Sequence, residues 1–437
     1  MPSESAQQAH QRAAQAARRA YARLLGMLVA RTGDIEDSED ALGEAFARAL
    51  ESWPRDGTPR EPEAWLLTTA RHAASDARRR QRVARRVLDE LAHAWPARAT
   101  AEDDHALTDE TLRMLFLCAH PSLEQGIRPA LMLQCVLGVD CATIASAFLV
   151  RPSTLAQRLV RAKRQIQETR VELSLPPQSD LSERLEAVLD ALYAAFLAGW
   201  EFVGAPSRPD DLPPQAIALA GELQRVFPAD PEVSGCLALM LFSESRREAR
   251  RDAAGDYVPL DRQDPAAWNL GMITRAEQLL LEASRARHIG RYQLEAAIQS
   301  AHIHGVRTGR PDWEAILALY EVLVKTSPGP GSAVAQAAAV LRAKGPGPAQ
   351  ALLDEALRVY GASAGLAAYQ PYWVARFWIS RALGDTEQAR SCLTTSIGLT
   401  PDPAVRSFLS RCWGEQSGPP APAGALADPG PRTPDVA

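Results

Sequence analysis

Apolar residues return every three or four positions along nearly the whole chain, and no convincing run alternates apolar with polar or closes on a hairpin turn. Side chains at that spacing share one face of a helix, so the expected fold class is all-α. Leu181, Leu185, Val188, Leu189, Leu192, Tyr193 and Phe196 draw one such stripe. The 437 residues, 46% of them hydrophobic, suffice for several helical domains. No apolar run approaches the ~18 residues of a membrane span. Met1 to Arg19 is rich in Ala, Gln and Arg without an apolar signal core, so a cytoplasmic location with no membrane partner is expected. Cys118, Cys135, Cys141, Cys236, Cys392 and Cys412 form no C-x-x-C pair, which points to buried free thiols rather than disulfides or a thiolate metal site.

Proline, glycine and acidic clusters divide the chain. A first block, residues 15–91, is expected to hold helices at Ala20 to Ala30, Ile35 to Trp53 and Glu63 to Leu91, with Pro54 to Pro62 a loop. Residues 92–109 read as a polar linker. The second block, 110–172, holds helices at Leu112 to Ala119, Gln125 to Leu137 and Cys141 to Phe148, then a longer one at Pro152 to Thr169. Asp140 and Ser153 are the expected helix-start residues, because their side-chain oxygens accept from unpaired helix N–H groups. From 175 to 413 the pattern is of helical hairpins. In the last of these, Trp373, Gly384, Asp385, Ala389, Leu399 and Pro401 stand at tetratricopeptide spacing, with Val334 to Tyr360 a degenerate copy and Trp313 to Pro328 a candidate third. Residues 414–437, rich in Pro, Gly and Ala, are expected to be disordered.

The net charge of −5 hides local segregation. Asp34, Glu36, Asp37, Glu39, Asp40 and Glu44 follow one another with no base among them, whereas Arg71 to Arg86 holds seven arginines against Asp76 alone. Such sorting suits separate faces for separate partners. The sharpest motif is VDCATIASAFLVRPSTLAQRLVRAKRQI, residues 139–166, which has the proportions of a helix-turn-helix. Ala145 is small where two helices touch, and Ile144, Phe148, Leu149, Leu155 and Leu159 can lock them together. Ser153, Thr154 and Gln157 lie in the early turns of the second helix, where side chains reach base edges, and Arg158, Arg161, Lys163 and Arg164 follow where charges meet phosphates. A second motif, WLLTTARHAASDARRRQRVARR at 65–86, can anchor through Trp65, Leu66 and Ala70 and present an arginine ridge to a phosphate backbone. The acidic helix at 34–44 cannot approach DNA and calls for a basic protein surface.

Catalytic readings fail. His302 and His304 have no third metal ligand at a convincing spacing, Cys118 and His120 are equally isolated, and neither a phosphate-cradling glycine loop nor a nucleophile elbow occurs. No catalytic residue, metal or cofactor is therefore expected, and the chain reads as a non-enzyme.

An acidic helix, an arginine-rich helix, a linker and a helix-turn-helix together resemble a bacterial sigma factor of the extracytoplasmic-function class of the sigma-70 family, which keeps the domains sigma2 and sigma4. DIEDSEDALGEAFARALESW at 34–53 resembles the surface that docks on the β′ clamp helices of core RNA polymerase. The resemblance gives that role to Asp37, Glu39, Asp40, Glu44 and Phe46. It gives reading of the opened −10 promoter element to Trp65, Arg71, His72, Asp76, Arg78, Arg79, Arg80 and Arg82. Reading of the −35 element falls to Ser153, Thr154, Gln157, Arg158, Arg161, Lys163 and Arg164. Further stretches, among them LFLCAHPSL at 115–123, DRQDPAAW at 261–268 and YQLEAAIQSAHI at 292–303, are similar to the group whose C-terminal extension carries tetratricopeptide-like repeats (ECF42-like). The implied partners are core RNA polymerase and promoter DNA, with the extension contacting the sigma domains or a peptide or protein. The chain departs from the usual pattern at Gly43, His72 and Thr143, so no promoter sequence carries over. Two other readings share the same residues: a helix-turn-helix regulator independent of polymerase, and a tetratricopeptide scaffold with a decayed sigma half.

Overall fold

The computed structural model describes residues 21–86, 106–148, 150–169, 173, 178–200, 212–361 and 365–414. Among them the fold is all-α, with no strand beyond an isolated bridge between Arg251 and Tyr257. The chain forms two units, residues 1–192 and 193–437.

In the first unit α1 (21–32) ends at Gly33, whose φ of 69° closes the turn into α2 (Ile35–Asp56). Asp34 caps α2 by accepting from Asp37 N at 3.0 Å. The expected break at Pro54 does not occur. Proline there falls in the final turn, and α2 runs on to Asp56 before Gly57, with φ of 87°, turns the chain. The loop is therefore residues 57–61, and α3 (Pro62–Arg86) starts at the last of the three prolines. Ile35, Ala41, Leu42, Ala45, Ala49 and Trp53 line the buried face of α2, and Ala41 packs with Ala73 and Ala74 of α3. α4 (Ala106–Cys118) starts earlier than the sequence pattern suggests, and residues 92–105 of the expected linker lie outside the described residues. A short 3-10 turn (Gln125–Ile127) leads into α5 (Arg128–Cys135), α6 (Cys141–Ala147) and α7 (Pro152–Thr169). α8 (Gln178–Trp200) is held to this unit by Arg128, which bonds Glu183 at 3.1 Å and the carbonyls of Leu123 and Pro121, and by Arg184, which donates to the Phe116 carbonyl.

The second unit contains α9 (Leu212–Val226), α10 (Pro231–Glu244), α11 (Leu270–Ser284), α12 (Arg291–Thr308), α13 (Trp313–Thr326), α14 (Pro330–Lys344), α15 (Pro346–Tyr360), α16 (Gly365–Ala368), α17 (Gln370–Ala382), α18 (Thr386–Leu399) and α19 (Pro403–Cys412). α10 is buried on every side, and Gly235 lets it approach the backbone of α12 so closely that a Cβ would sit 2.7 Å from Gln293 N. Glu232 then caps α12, its carboxylate accepting from Tyr292 N at 2.9 Å and Gln293 N at 3.1 Å. The hairpin read from Trp373 to Pro401 is α17 and α18, with Gly384 at φ 83°, Asp385 as N-cap and Ala389 buried at the crossing. Residues 415–437 lie outside the described residues.

Candidate functional site

The acidic helix α2 sorts its carboxylates by helical angle. Glu36, Asp40 and Glu44, four apart, point to solvent with Gly43 among them, and Glu44 pairs with Arg48 at 2.5 Å. Asp37 and Phe46 are half-buried. Glu39 turns the other way. Its carboxylate accepts from Lys163 Nζ of α7 at 2.5 Å and from Cys135 Sγ of α5 at 3.6 Å, with the two charged side chains 19% and 9% exposed. Gln167 of α7 also donates to Asp34 at 2.5 Å, so α2 and α7 are fastened together within one unit.

Electrostatics follow from that enclosure. Burial lowers the pKa of Lys163, but Cys135 and Glu39 beside it outweigh burial, and the net shift is upward. The Cys135 thiol is pushed well up, by its hydrogen bond with Cys118 first and by burial second. Burial, then the Glu39 charge, also holds the Tyr21 phenol well above its ordinary value. Tyr21, Cys118 and Cys135 thus belong to this junction; the sequence pattern marks the two cysteines only as buried thiols, with Cys118 inside LFLCAHPSL, and does not mark Tyr21.

The arginine-rich helix α3 keeps Leu66 and Ala70 in the core, as its pattern predicts. Trp65 is half-buried and meets Trp53 edge to face at 5.6 Å, while Arg71, His72 and Asp76 are exposed. Arg78, Arg79, Arg80 and Arg82 lie on the helix, and their side chains fall outside the described residues.

Across α6 and α7, Ile144, Ala145, Leu155 and Leu159 are buried, and Phe148 in the turn between them is half-buried; Leu149 lies outside the described residues. Asp140 caps α6, accepting from Thr143 N at 2.9 Å and from its hydroxyl, which holds the Asp140 carboxyl below its usual range. Ser153 does not start its helix, because Pro152 takes the first position. Ser153, Thr154, Gln157, Arg161 and Arg164 are exposed along α7, and Arg158 pairs with Glu124 at 2.9 Å. Lys163 is separated from this group: it faces Glu39, not solvent. Of the cysteines, Cys141 is half-buried and the other five are buried.

Residues 16–83 match the family described as Sigma-70 region 2, and residues 184–284 match a family of unknown function, DUF6596. A protein of Rhizobium meliloti (strain 1021) described as uncharacterized is 34% identical over 391 residues, spanning 88% of this chain and 91% of its own. No solved structure matches. The chain belongs to the sigma-70 family, and core RNA polymerase is the general kind of partner that region 2 carries. None of the described helices is long and apolar enough to cross a membrane.

Proposed function

We propose that the chain is a sigma factor of the extracytoplasmic-function type, which brings promoter recognition to RNA polymerase and performs no chemistry itself. The observation that carries this reading is the sorting of faces on two helices of one unit. α2, inside the region 2 match, exposes Asp40 and Glu44, and α7 exposes Ser153, Thr154, Gln157, Arg161 and Arg164. An anionic face suits a basic protein surface such as the β′ clamp helices, and a polar then cationic face suits the major groove and its phosphates. Trp65 and the arginines of α3 would hold the opened −10 strand. The helical hairpins of the second unit are a tetratricopeptide-like extension that regulates or stabilises the sigma domains.

Run-off transcription with purified core polymerase on the DNA upstream of the gene tests this. The chain is expected to direct a discrete transcript, and Asp40→Lys/Glu44→Lys, exposed positions outside the core, to lower it about tenfold or more. Absence of a transcript combined with tight specific duplex binding by the chain alone would replace the proposal with a polymerase-independent regulator. Absence of both would leave a helical scaffold.

A further inference from the structure

Between α10 and α11 the chain makes three short 3-10 turns and folds back on itself, with Asn269 N donating to Ser245 O at 2.8 Å and Val258 N to Arg250 O at 2.9 Å. This segment carries two arginines into the interior. Arg246 is 4% exposed and Arg250 9%. Arg246 donates to Gln299 Oε1 at 2.9 Å and to the Phe242 carbonyl at 3.3 Å, both neutral, and among the described residues no carboxylate pairs with it. Arg250 lies over the Trp200 ring at 3.7 Å. Arg342 of α14 comes in over the Trp313 ring, with Asp261 at 3.5 Å.

His302 of α12, 3% exposed, sits among these cations. Burial first, then Arg246 and Arg342, bring its pKa to about 4, so it is neutral at pH 7. Burial and the neighbouring Arg250 likewise bring Arg246 down to about 10. Trp200 Nε1, Trp268 Nε1 and His302 Nε2 are enclosed and make no hydrogen bond among the described residues. A buried guanidinium without a carboxylate and the enclosed indole N–H groups of Trp200 and Trp268 are costly arrangements that lack an acceptor, and the neutral His302 imidazole can carry its one N–H at the partnerless Nε2 to meet one.

We propose that the second unit binds the oxyanion group of a small molecule, a phosphate or a carboxylate, between Arg246 and His302, with Trp268 and Arg342 beside it. The guanidinium fork matches either group in a bidentate pair. Exposures of a few per cent exclude a nucleic-acid backbone or an acidic helix as the occupant, so the ligand is a small molecule. This site does not depend on the sigma-factor reading, and its failure would leave that reading untouched.

Thermal unfolding of the full chain, titrated with inorganic phosphate in one arm and acetate in the other against chloride at equal ionic strength, tests the site. A saturable rise in the unfolding temperature is expected in at least one arm, and Arg246→Met is expected to abolish it. Trp268→Phe, which deletes one N–H and keeps the ring packing, is expected to weaken the apparent affinity several-fold and guards against Arg246→Met failing to fold. A rise with phosphate alone assigns a phosphorylated ligand, and a rise in both arms assigns the oxyanion without regard to its source. No rise beyond chloride in either arm, or an equal rise in wild type and variants, overturns the proposal.

Discussion

His302 is enclosed between α12 and α13, meets the Trp313 ring edge to face at 5.8 Å, and shares its surroundings with Arg246 and Arg342. Its pKa falls from 6.5 to about 4 on folding. Between those values the unfolded chain binds the proton and the folded chain does not. The stability this residue allows is therefore complete above the unfolded pKa and falls as pH drops through the window, levelling off only below the folded value. Acidification from about pH 7.5 to about pH 5 is expected to cost about 2 kcal/mol through this imidazole. Denaturant unfolding of wild type and His302→Gln at both pH values measures it, with the variant losing correspondingly less. Equal losses would assign the acid sensitivity to other groups.

The contact between α2 and α7 gathers its strength at one ion pair. Lys163→Met would leave the Glu39 carboxylate enclosed beside Tyr21 and Cys135 without its cation, and breaking such a pair from one side is expected to cost about 2–4 kcal/mol. Hydrogen exchange in α2 and α7 should quicken accordingly, and Glu39→Gln/Lys163→Met should recover part of the loss. Additive effects of the single changes would mean that the pair contributes no coupling. Much of the framework of this contact was legible in the sequence. Pro152 and the apolar spacing of Leu155, Leu159 and Ile166 mark α7 from end to end, and the all-α fold follows from period alone. The pairing was not legible. Glu39 and Lys163 are 124 positions apart, and helical period says which face a residue occupies without saying which helix meets it. Lysine is also rarely buried, so Lys163 reads as a surface charge until its partner is seen. Arg246, His302 and Arg342 present the same difficulty, because the segment after α10 and the helices α12 and α14 meet only in the folded unit and each residue stands in a different stretch of sequence. Pro54 misled for a local reason: a proline is a poor guide to a helix end when it falls within the last turn, where its φ is compatible with the helix and only Arg55 and Asp56 follow it.

The extension starts its influence before the second unit does. α8 begins in the first unit, where Arg184 donates to the Phe116 carbonyl and Glu183 pairs with Arg128, itself bonded to two loop carbonyls before α5. Deleting residues 176–437 removes those partners along with the hairpins, so it tests two things at once. The Phe116 carbonyl, on a buried residue, would lose the Arg184 donor, and Arg128, also buried, the Glu183 carboxylate. A chain ending at residue 175 is therefore expected to unfold at a lower temperature than one ending at Trp200, which keeps α8 entire. Transcription by the two truncations then separates the roles open to the extension. If the hairpins inhibit, the chain ending at Trp200 should exceed full-length activity while the shorter one loses part of that gain to instability. If the hairpins are required, both should fall below the full chain, and the longer truncation should fall despite its intact α8. Equal unfolding temperatures for the two would show that α8 adds nothing to the sigma unit, and the first deletion would then suffice alone.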